Sequence, residues 1–127
     1  MRYTGYSFLK RRRLIEKIVN DCLDANFIDI MSFANNLGIK ILSDDDAHIL
    51  NGALGRYFID IDRDLAIIVI DTHLPNDVKR YVLAHELGHH LLDHKKVDRI
   101  MVRDDDRIFL EWEADLFATL LLGVNNE

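Results

Sequence analysis

Six consecutive residues, His85 to His90, read HELGHH and hold three of the six histidines in the chain. Because His85 and His89 are four positions apart, an α-helix places both imidazoles on one face, one turn apart. Two imidazoles arranged in this way can bind one metal ion, and the pair suits zinc. Glu86 follows the first histidine, which sets its carboxylate beside the ion, where it can accept a proton from a water molecule. The stretch therefore predicts a helix that carries a zinc site.

The residues around this motif support a helix that begins at Pro75 and runs to about His94. Proline is favoured at the first position of a helix, and apolar residues recur at helical spacing to anchor it against a core. These residues are Val82, Leu83, Leu87, Leu91 and Leu92. Gly88 costs the interior of a helix about 1 kcal/mol relative to alanine. Either another backbone approaches the helix closely at Gly88, or this glycine has no structural role.

Two further histidines, His90 and His94, are also one turn apart on this helix. Their face is rotated away from the face of His85 and His89, so they cannot bind the same ion without distortion. We therefore expect both His90 and His94 to face the solvent.

The third zinc ligand is expected in the next helix, within the sequence EWEADLF. A catalytic zinc usually has three protein ligands and one open position. Glu111 and Asp115 are four positions apart and share a face with two alanines, which let a neighbouring helix approach closely. We expect Glu111 to be the ligand, and Asp115 to accept a hydrogen bond from the far nitrogen of a ligating histidine. Glu113 points elsewhere on this helix and is the alternative ligand.

Tyr57, Tyr81 and His48 are weaker candidates for the site. Each could donate a hydrogen bond to a developing oxyanion, although residues of these types are more often structural.

The remaining pattern predicts two helices, then three strands, then two helices, which is an α+β fold. The first two helices are expected over residues 7–27 and 29–38, and the last over residues 108–122. A short β-branched run at 39–42 predicts the first strand, and residues 57–61 and 65–70 predict a hairpin. Since the run LAIIVI is apolar on both faces, it predicts a central strand, whereas residues 57–61 alternate more and predict an edge.

Length and composition limit the remaining possibilities. With 127 residues, 49% of them hydrophobic, residues 1–127 are expected to form a single domain. The only cysteine, Cys22, cannot form an internal disulfide, so we expect a buried thiol and a cytoplasmic location. No segment approaches the roughly 18 consecutive apolar residues of a membrane span. The net charge of −6 argues against general binding of nucleic acid.

A basic cluster, Arg11 to Arg13 with Lys10, opposes this acidic balance. We interpret it as a solvated face of the N-terminal helix. The alternative is a contact with a phosphate group or an acidic partner.

Three stretches, together with the predicted strand pair, resemble the ImmA/IrrE family of zinc metallopeptidases: DIMSFANNLGIKI, RYVLAHELGHHLLDH and EWEADLFATLLL. The resemblance covers about residues 28–122. The HELGH core occurs in many zinc peptidases, but its combination with EWEADLFA some twenty residues later is more particular. The resemblance implies a small zincin-like domain, in which N-terminal helices and a three-stranded sheet support an HExxH helix and a C-terminal ligand helix. It also implies that His85, His89 and Glu111 bind zinc and that Glu86 is catalytic.

The same resemblance implies a zinc-dependent endopeptidase. Members of the family typically cleave a helix-turn-helix transcriptional repressor in phages and other mobile elements, so we expect an anti-repressor. No direct nucleic-acid partner and no membrane partner is expected. The alternative is a non-proteolytic module that binds a repressor and keeps a structural or vestigial metal site. A nucleic-acid protein that uses the Arg11 cluster is a third hypothesis, which the acidic charge disfavours.

Overall fold

The computed structural model describes residues 5–44, 50, 52–94 and 104–123. Within these ranges the elements follow the chain in the predicted order of two helices, three strands and two helices. They are α1 (Gly5–Asp24), α2 (Ile30–Asn36), β1 (Lys40–Asp44), β2 (Gly55–Asp60), β3 (Leu65–Asp71), α3 (Asn76–Leu91) and α4 (Asp104–Leu122). The α+β class is confirmed, and the arrangement is that of a small zincin-like domain.

The sheet has the order β1-β3-β2 within the described residues. β1 is parallel to β3, and β2 is antiparallel to it, with Tyr57 paired to Ile68. β3 is therefore the central strand and β2 an edge, as predicted. β3 is apolar on both faces because each face meets its own cluster. Ile68 and Ile70 belong to the main core, whereas Ile67 and Val69 pack in a second cluster around Leu50.

α1 packs along α4 and contributes one stripe of residues to the main core. Ile15, Val19 and Cys22 recur at helical spacing and are all buried. At the start of the helix, the rings of Phe8 and Trp112 lie with their centroids 4.9 Å apart. Since Cys22 is only 5% exposed, the prediction of a buried thiol is confirmed.

α2 is bounded as the sequence predicts. Asp29 caps its first turn by accepting a hydrogen bond from the backbone N–H of Ser32 at 2.7 Å. Gly38 follows the helix with φ +84°, a backbone conformation that favours glycine.

α3 and α4 pack against each other around Gly88. A Cβ atom built on Gly88 would lie 3.0–3.2 Å from atoms of Phe117, whose side chain is fully buried. The glycine therefore makes room for an aromatic side chain rather than for a second backbone.

α3 ends earlier than predicted, at Leu91 rather than near His94. Asp93 adopts a left-handed conformation with φ 62°, and its N–H donates to the carbonyl of His90 at 3.2 Å. The N–H of His94 donates to the carbonyl of His89 at 2.7 Å. These two bonds form the Schellman motif that terminates many helices. It folds His94 back beneath the last turn of the helix.

α4 begins at Asp104, before the predicted start at residue 108, and ends at Leu122, followed by Gly123 with φ 61°. Residues 95–103, which precede it, lie outside the described residues. Among the helices that the structure describes, none combines the length and apolar character needed to cross a bilayer.

Candidate metal centre

The facing sides of α3 and α4 bring together the three residues predicted to bind zinc. One ligand atom from each of His85, His89 and Glu111 lies within 4.8 Å of the others. Glu111 Oε1 is 2.8 Å from Nε2 of His85 and 3.3 Å from Nε2 of His89. Two helical histidines and a carboxylate from the neighbouring helix therefore share a common point.

The donor set at this point fits a cation. Nδ1 of His85 lies 2.8 Å from Oδ1 of Asp115. An ionised carboxylate only accepts hydrogen bonds, so this nitrogen carries the hydrogen. In a neutral imidazole, the other nitrogen, Nε2, then carries a lone pair. This lone pair faces the carboxylate of Glu111. Two acceptors at this distance require a positive charge between them, which is either a proton or a metal ion.

The pKa values of Glu111, His85 and His89 are shifted by burial and by the charges of their neighbours in this group. Burial raises the pKa of Glu111, but the neighbouring imidazoles of His85 and His89 outweigh it and hold that pKa well below its usual range. Burial lowers the pKa of His85, yet the hydrogen bond to Glu111 and the nearby carboxylates raise it overall. For His89, burial dominates and the pKa is lowered. A proton can therefore occupy the site next to His85, where a metal ion would displace it.

Glu86 lies in the same cavity without belonging to this group of three. The cavity has a volume of about 290 Å³, and its walls include His85, Glu86 and Glu111. The Glu86 side chain is buried, and residues at the start of β2 cover it. A Cβ atom built on Gly55 would lie 3.2 Å from Oε2 of Glu86 and 2.5 Å from Cγ1 of Val82. Strand β2 thus forms one wall of the cavity, with no room there for a side chain.

In a comparison with protein families, the model of the IrrE N-terminal-like domain, a peptidase M78 family, matches residues 34–122. These residues include the whole sheet and both helices that carry the metal centre. The chain belongs to the IrrE N-terminal-like domain family. No curated protein and no solved structure matches the chain. As an IrrE N-terminal-like domain it is metallopeptidase-like, and its group of His85, His89 and Glu111 could hold the metal on which such domains typically depend.

In this IrrE N-terminal-like domain, Asp115 has the position that the helical spacing predicts. Its Oδ1 accepts from His85 and also from the hydroxyl of Tyr81, at 2.8 and 3.1 Å. Tyr81 lines the cavity, whereas Tyr57 is buried in the core with its hydroxyl 2.9 Å from Nδ1 of His90. Tyr81 therefore helps to orient a site residue, and Tyr57 is structural. His48 lies outside the described residues.

The expectation that His90 and His94 face the solvent is wrong. His90 is half-buried and bonded to Tyr57. His94 is 3% exposed, and its Nδ1 lies 3.0 Å from Nδ1 of His89. Burial is the largest cause that lowers the pKa of His94, to about 3. The physical reason is the Schellman motif, which ends the helix before His94. His94 therefore lies next to His89, and not on the rotated face that a continued helix would have given it.

Glu113, the alternative ligand, is fully buried and has other partners. Arg11 donates to it twice, from Nε to Oε2 at 2.9 Å and from Nη2 to Oε1 at 2.7 Å. Nε2 of His94 lies 2.8 Å from the same Oε1. Burial raises the pKa of Glu113 and lowers that of Arg11, while the paired hydrogen bonds favour the charged forms. The structure brings Glu111, and not Glu113, to the two histidines.

The interpretation of the basic cluster as a solvated face is wrong for Arg11. Its side chain is 29% exposed and pairs with Glu113. Arg12 does lie on an exposed face, where it pairs with Glu16 one turn away. The contacts of Arg11 and His94 could not be predicted from the sequence. The partner of Arg11 is set by tertiary packing, and that of His94 by the turn that ends the helix.

Proposed function

We propose that this domain is a zinc-dependent endopeptidase. The observation that carries the proposal is the position of Glu86, which lines the cavity of His85 and Glu111 without belonging to the metal-binding group. A purely structural zinc site has no use for an additional carboxylate in its cavity. A hydrolytic site needs one as a general base.

The ligand set supports the metal assignment. Two histidines and one carboxylate are a set that catalytic zinc uses, with the fourth position left for water or substrate. The Asp115 hydrogen bond holds the ring of His85 and places the hydrogen on Nδ1, which leaves Nε2 as the ligand atom. When bound, zinc would polarise the scissile carbonyl and make a water molecule more acidic.

The residues of the chain then have separate roles. Glu86 accepts the proton of the attacking water and later passes it to the leaving amine. His85, His89 and Glu111 hold the metal, and Asp115 orients His85. The family match supports peptide bonds as the class of substrate.

The substrate is expected to bind in an extended form along β2. This strand pairs with β3 on one side only and ends the three-stranded sheet of the described residues. Its first residue, Gly55, lies against Glu86. A peptide added to this edge would receive backbone hydrogen bonds and pass the cavity.

The likeness to ImmA/IrrE peptidases supports a helix-turn-helix transcriptional repressor as the substrate, and with it an anti-repressor role in a phage or mobile element. A cytoplasmic location and a single domain over residues 1–127 remain predictions that accompany this role.

The experiment compares wild type with Glu86→Gln. Each protein is loaded with zinc and incubated with the helix-turn-helix repressor encoded beside its gene, and fragments are identified by mass spectrometry. We expect wild type to cleave the repressor, and Glu86→Gln to bind zinc equally but produce no fragments. Cleavage by Glu86→Gln at the wild-type rate would contradict the role of Glu86. Equal relief of repression by both proteins without fragments would favour the non-proteolytic binding module.

A further inference from the structure

A chain of hydrogen bonds runs from the metal centre to the N-terminal helix, buried from His89 to Glu113 and partly buried where Arg11 joins it. It joins His89 to His94 at 3.0 Å, His94 to Glu113 at 2.8 Å, and Glu113 to Arg11 at 2.7 and 2.9 Å. The exposed fractions of His89, His94 and Glu113 are 1%, 3% and 0%. Bulk water therefore cannot replace a partner that is lost between His89 and Glu113, whereas Arg11 at the end of the chain is partly exposed.

We infer that Arg11, Glu113 and His94 are positioning residues, which set the direction of this hydrogen-bond chain and thereby keep Nε2 of His89 free to bind the metal. The inference rests on the metal-binding part of the proposed function, and not on its catalytic part.

The direction follows from the donors and acceptors, starting at Arg11. A guanidinium only donates, so both oxygens of the Glu113 carboxylate act as acceptors. Nε2 of His94 faces one of these oxygens and must carry a hydrogen. A neutral imidazole with its hydrogen on Nε2 has a lone pair on Nδ1. That lone pair accepts from Nδ1 of His89, so the remaining lone pair of His89 is on Nε2.

The opposite direction conflicts with the position of Arg11. It would place the hydrogen of His89 on Nε2, where it would block the metal. His94 would then donate from Nδ1 and accept at Nε2, and Glu113 would have to act as the donor. A carboxyl group that donates is disfavoured beside two N–H groups of a guanidinium. Arg11 therefore selects the tautomer that leaves His89 ready for a metal ion.

This arrangement makes α1 part of the metal centre. Arg11 lies in α1, before the residues 34–122 that match the family. α1 is held in place independently, because Ile15 and Val19 are buried in the main core. The docked helix can thus present Arg11 to Glu113 at a fixed distance, in the way that outer partners commonly orient a ligating histidine.

The first test reads the tautomers directly. Long-range ¹H–¹⁵N correlation spectra of the histidine side chains are recorded on the full chain near neutral pH, both before and after zinc is added. We expect His94 to carry its hydrogen on Nε2 and His89 to carry its hydrogen on Nδ1. A His94 ring with its hydrogen on Nδ1 would overturn the inference, whatever the activity of the protein.

The second test measures zinc affinity by competition with a chromophoric chelator. Arg11→Met is expected to weaken zinc binding by about 10-fold, the lower end of the effect of losing a ligand's direct partner, because Arg11 acts on His89 through Glu113 and His94. Arg12→Met is the matched control, since it removes the same charge one residue away and is expected to bind zinc like wild type. Equal zinc affinity in wild type, Arg11→Met and Arg12→Met would contradict the inference.

A third pair of variants separates positioning from a general loss of structure. His94→Leu removes the acceptor for His89, whereas His94→Asn keeps an acceptor oxygen near the place of Nδ1. We expect His94→Asn to retain more zinc affinity than His94→Leu. Equal losses in the two would oppose a positioning role, and if either variant fails to fold, the tautomers of wild type still decide.

The outcomes distinguish this inference from the proposed function. If the protein cleaves the repressor but its zinc affinity does not depend on Arg11, the inference is contradicted and the proposed function is not. If Arg11→Met loses zinc affinity but the wild-type protein cleaves no repressor, the catalytic proposal is contradicted and the inference is not. A wild type that binds no zinc would sink both.

Discussion

Gly55 and Glu86 lie in such close contact that a methyl group on Gly55 would approach Oε2 of the carboxylate to 3.2 Å. The same methyl group would lie 2.5 Å from Cγ1 of Val82, which is closer than two carbon atoms that are not bonded to each other can approach. The wall that β2 forms beside Glu86, the proposed general base, thus depends on the absence of a side chain at its first position.

Replacing Gly55 by alanine tests this wall. Either β2 or the Val82 side chain must move, and overpacking of this kind costs about 1–3 kcal/mol of stability. We expect Gly55→Ala to lower the free energy of unfolding in urea and to slow cleavage, because Glu86 shifts with its neighbour. In a Val82→Ala background, the same substitution should cost less stability, since Cγ1 is gone. Strictly additive losses in the double variant would show that the two residues do not collide.

Asp115 and Tyr81 provide a graded test of the support for His85. Asp115→Asn replaces the charged acceptor of His85 Nδ1 by a neutral amide oxygen, which holds the hydrogen on Nδ1 less strongly, so zinc affinity should fall by roughly 10-fold, the lower end for such partners. The lower end is expected because the Asp115 side chain is 57% exposed and water can replace part of its contact. Tyr81→Phe leaves the Asp115 carboxylate in place and should have a smaller effect. The chelator competition used for Arg11 measures both, and a larger loss in Tyr81→Phe than in Asp115→Asn would refute this order.

Zinc should stabilise the folded chain through the three ligands and not through Glu86. A metal that binds only the folded state at 100 times its Kd adds about 2.7 kcal/mol. We expect the thermal midpoint of wild type and of Glu86→Gln to rise on zinc addition and to fall again with a chelator. His89→Ala and Glu111→Ala should show little of this gain. A full gain in His89→Ala would mean that the zinc binds somewhere else.

The thiol of Cys22 should be protected in the folded protein. Burial, together with the negative charge of Asp21, raises the pKa of Cys22 to about 11 from an ordinary value of 9.0. The folded chain therefore holds less thiolate than the unfolded chain at any pH below about 11, and its alkylation rate should keep rising beyond pH 9. By the same linkage, this group's contribution to stability is present below pH 9 and is lost as the pH rises above it.

The measurement for this prediction is the rate of reaction with iodoacetamide, followed by mass spectrometry. The native protein should react much more slowly than the protein in urea, and Cys22→Ser, which lacks the only thiol, should not react at all. A native rate that levels off near pH 9 would contradict the effect of burial.

The parts of the site that could be predicted from the sequence are those governed by spacing along one helix. The pairing of His85 with His89, and of Glu111 with Asp115, follows from the helical repeat alone. The central position of β3 could also be predicted, because a strand that is apolar on both faces must be covered on both.

The support behind His89 could not be predicted in this way. His94 reaches His89 only because the helix ends in a left-handed Asp93, and the sequence has no glycine there to mark the turn. Arg11 and Glu113 are 102 positions apart, and their contact depends on how α1 docks on α4. Local periodicity carries no information about either event. The one available signal was the Asp at position 93, a residue that tolerates the left-handed conformation better than most.

The most direct test of the central claim is an anomalous difference map, recorded at the zinc absorption edge from crystals of the full chain grown with zinc. We predict one strong peak about 2.0–2.2 Å from Nε2 of His85, Nε2 of His89 and a carboxylate oxygen of Glu111. Glu86 should lie nearby but outside bonding distance. The account would be contradicted by the absence of any peak between α3 and α4, or by a peak bound to Glu113 in place of Glu111.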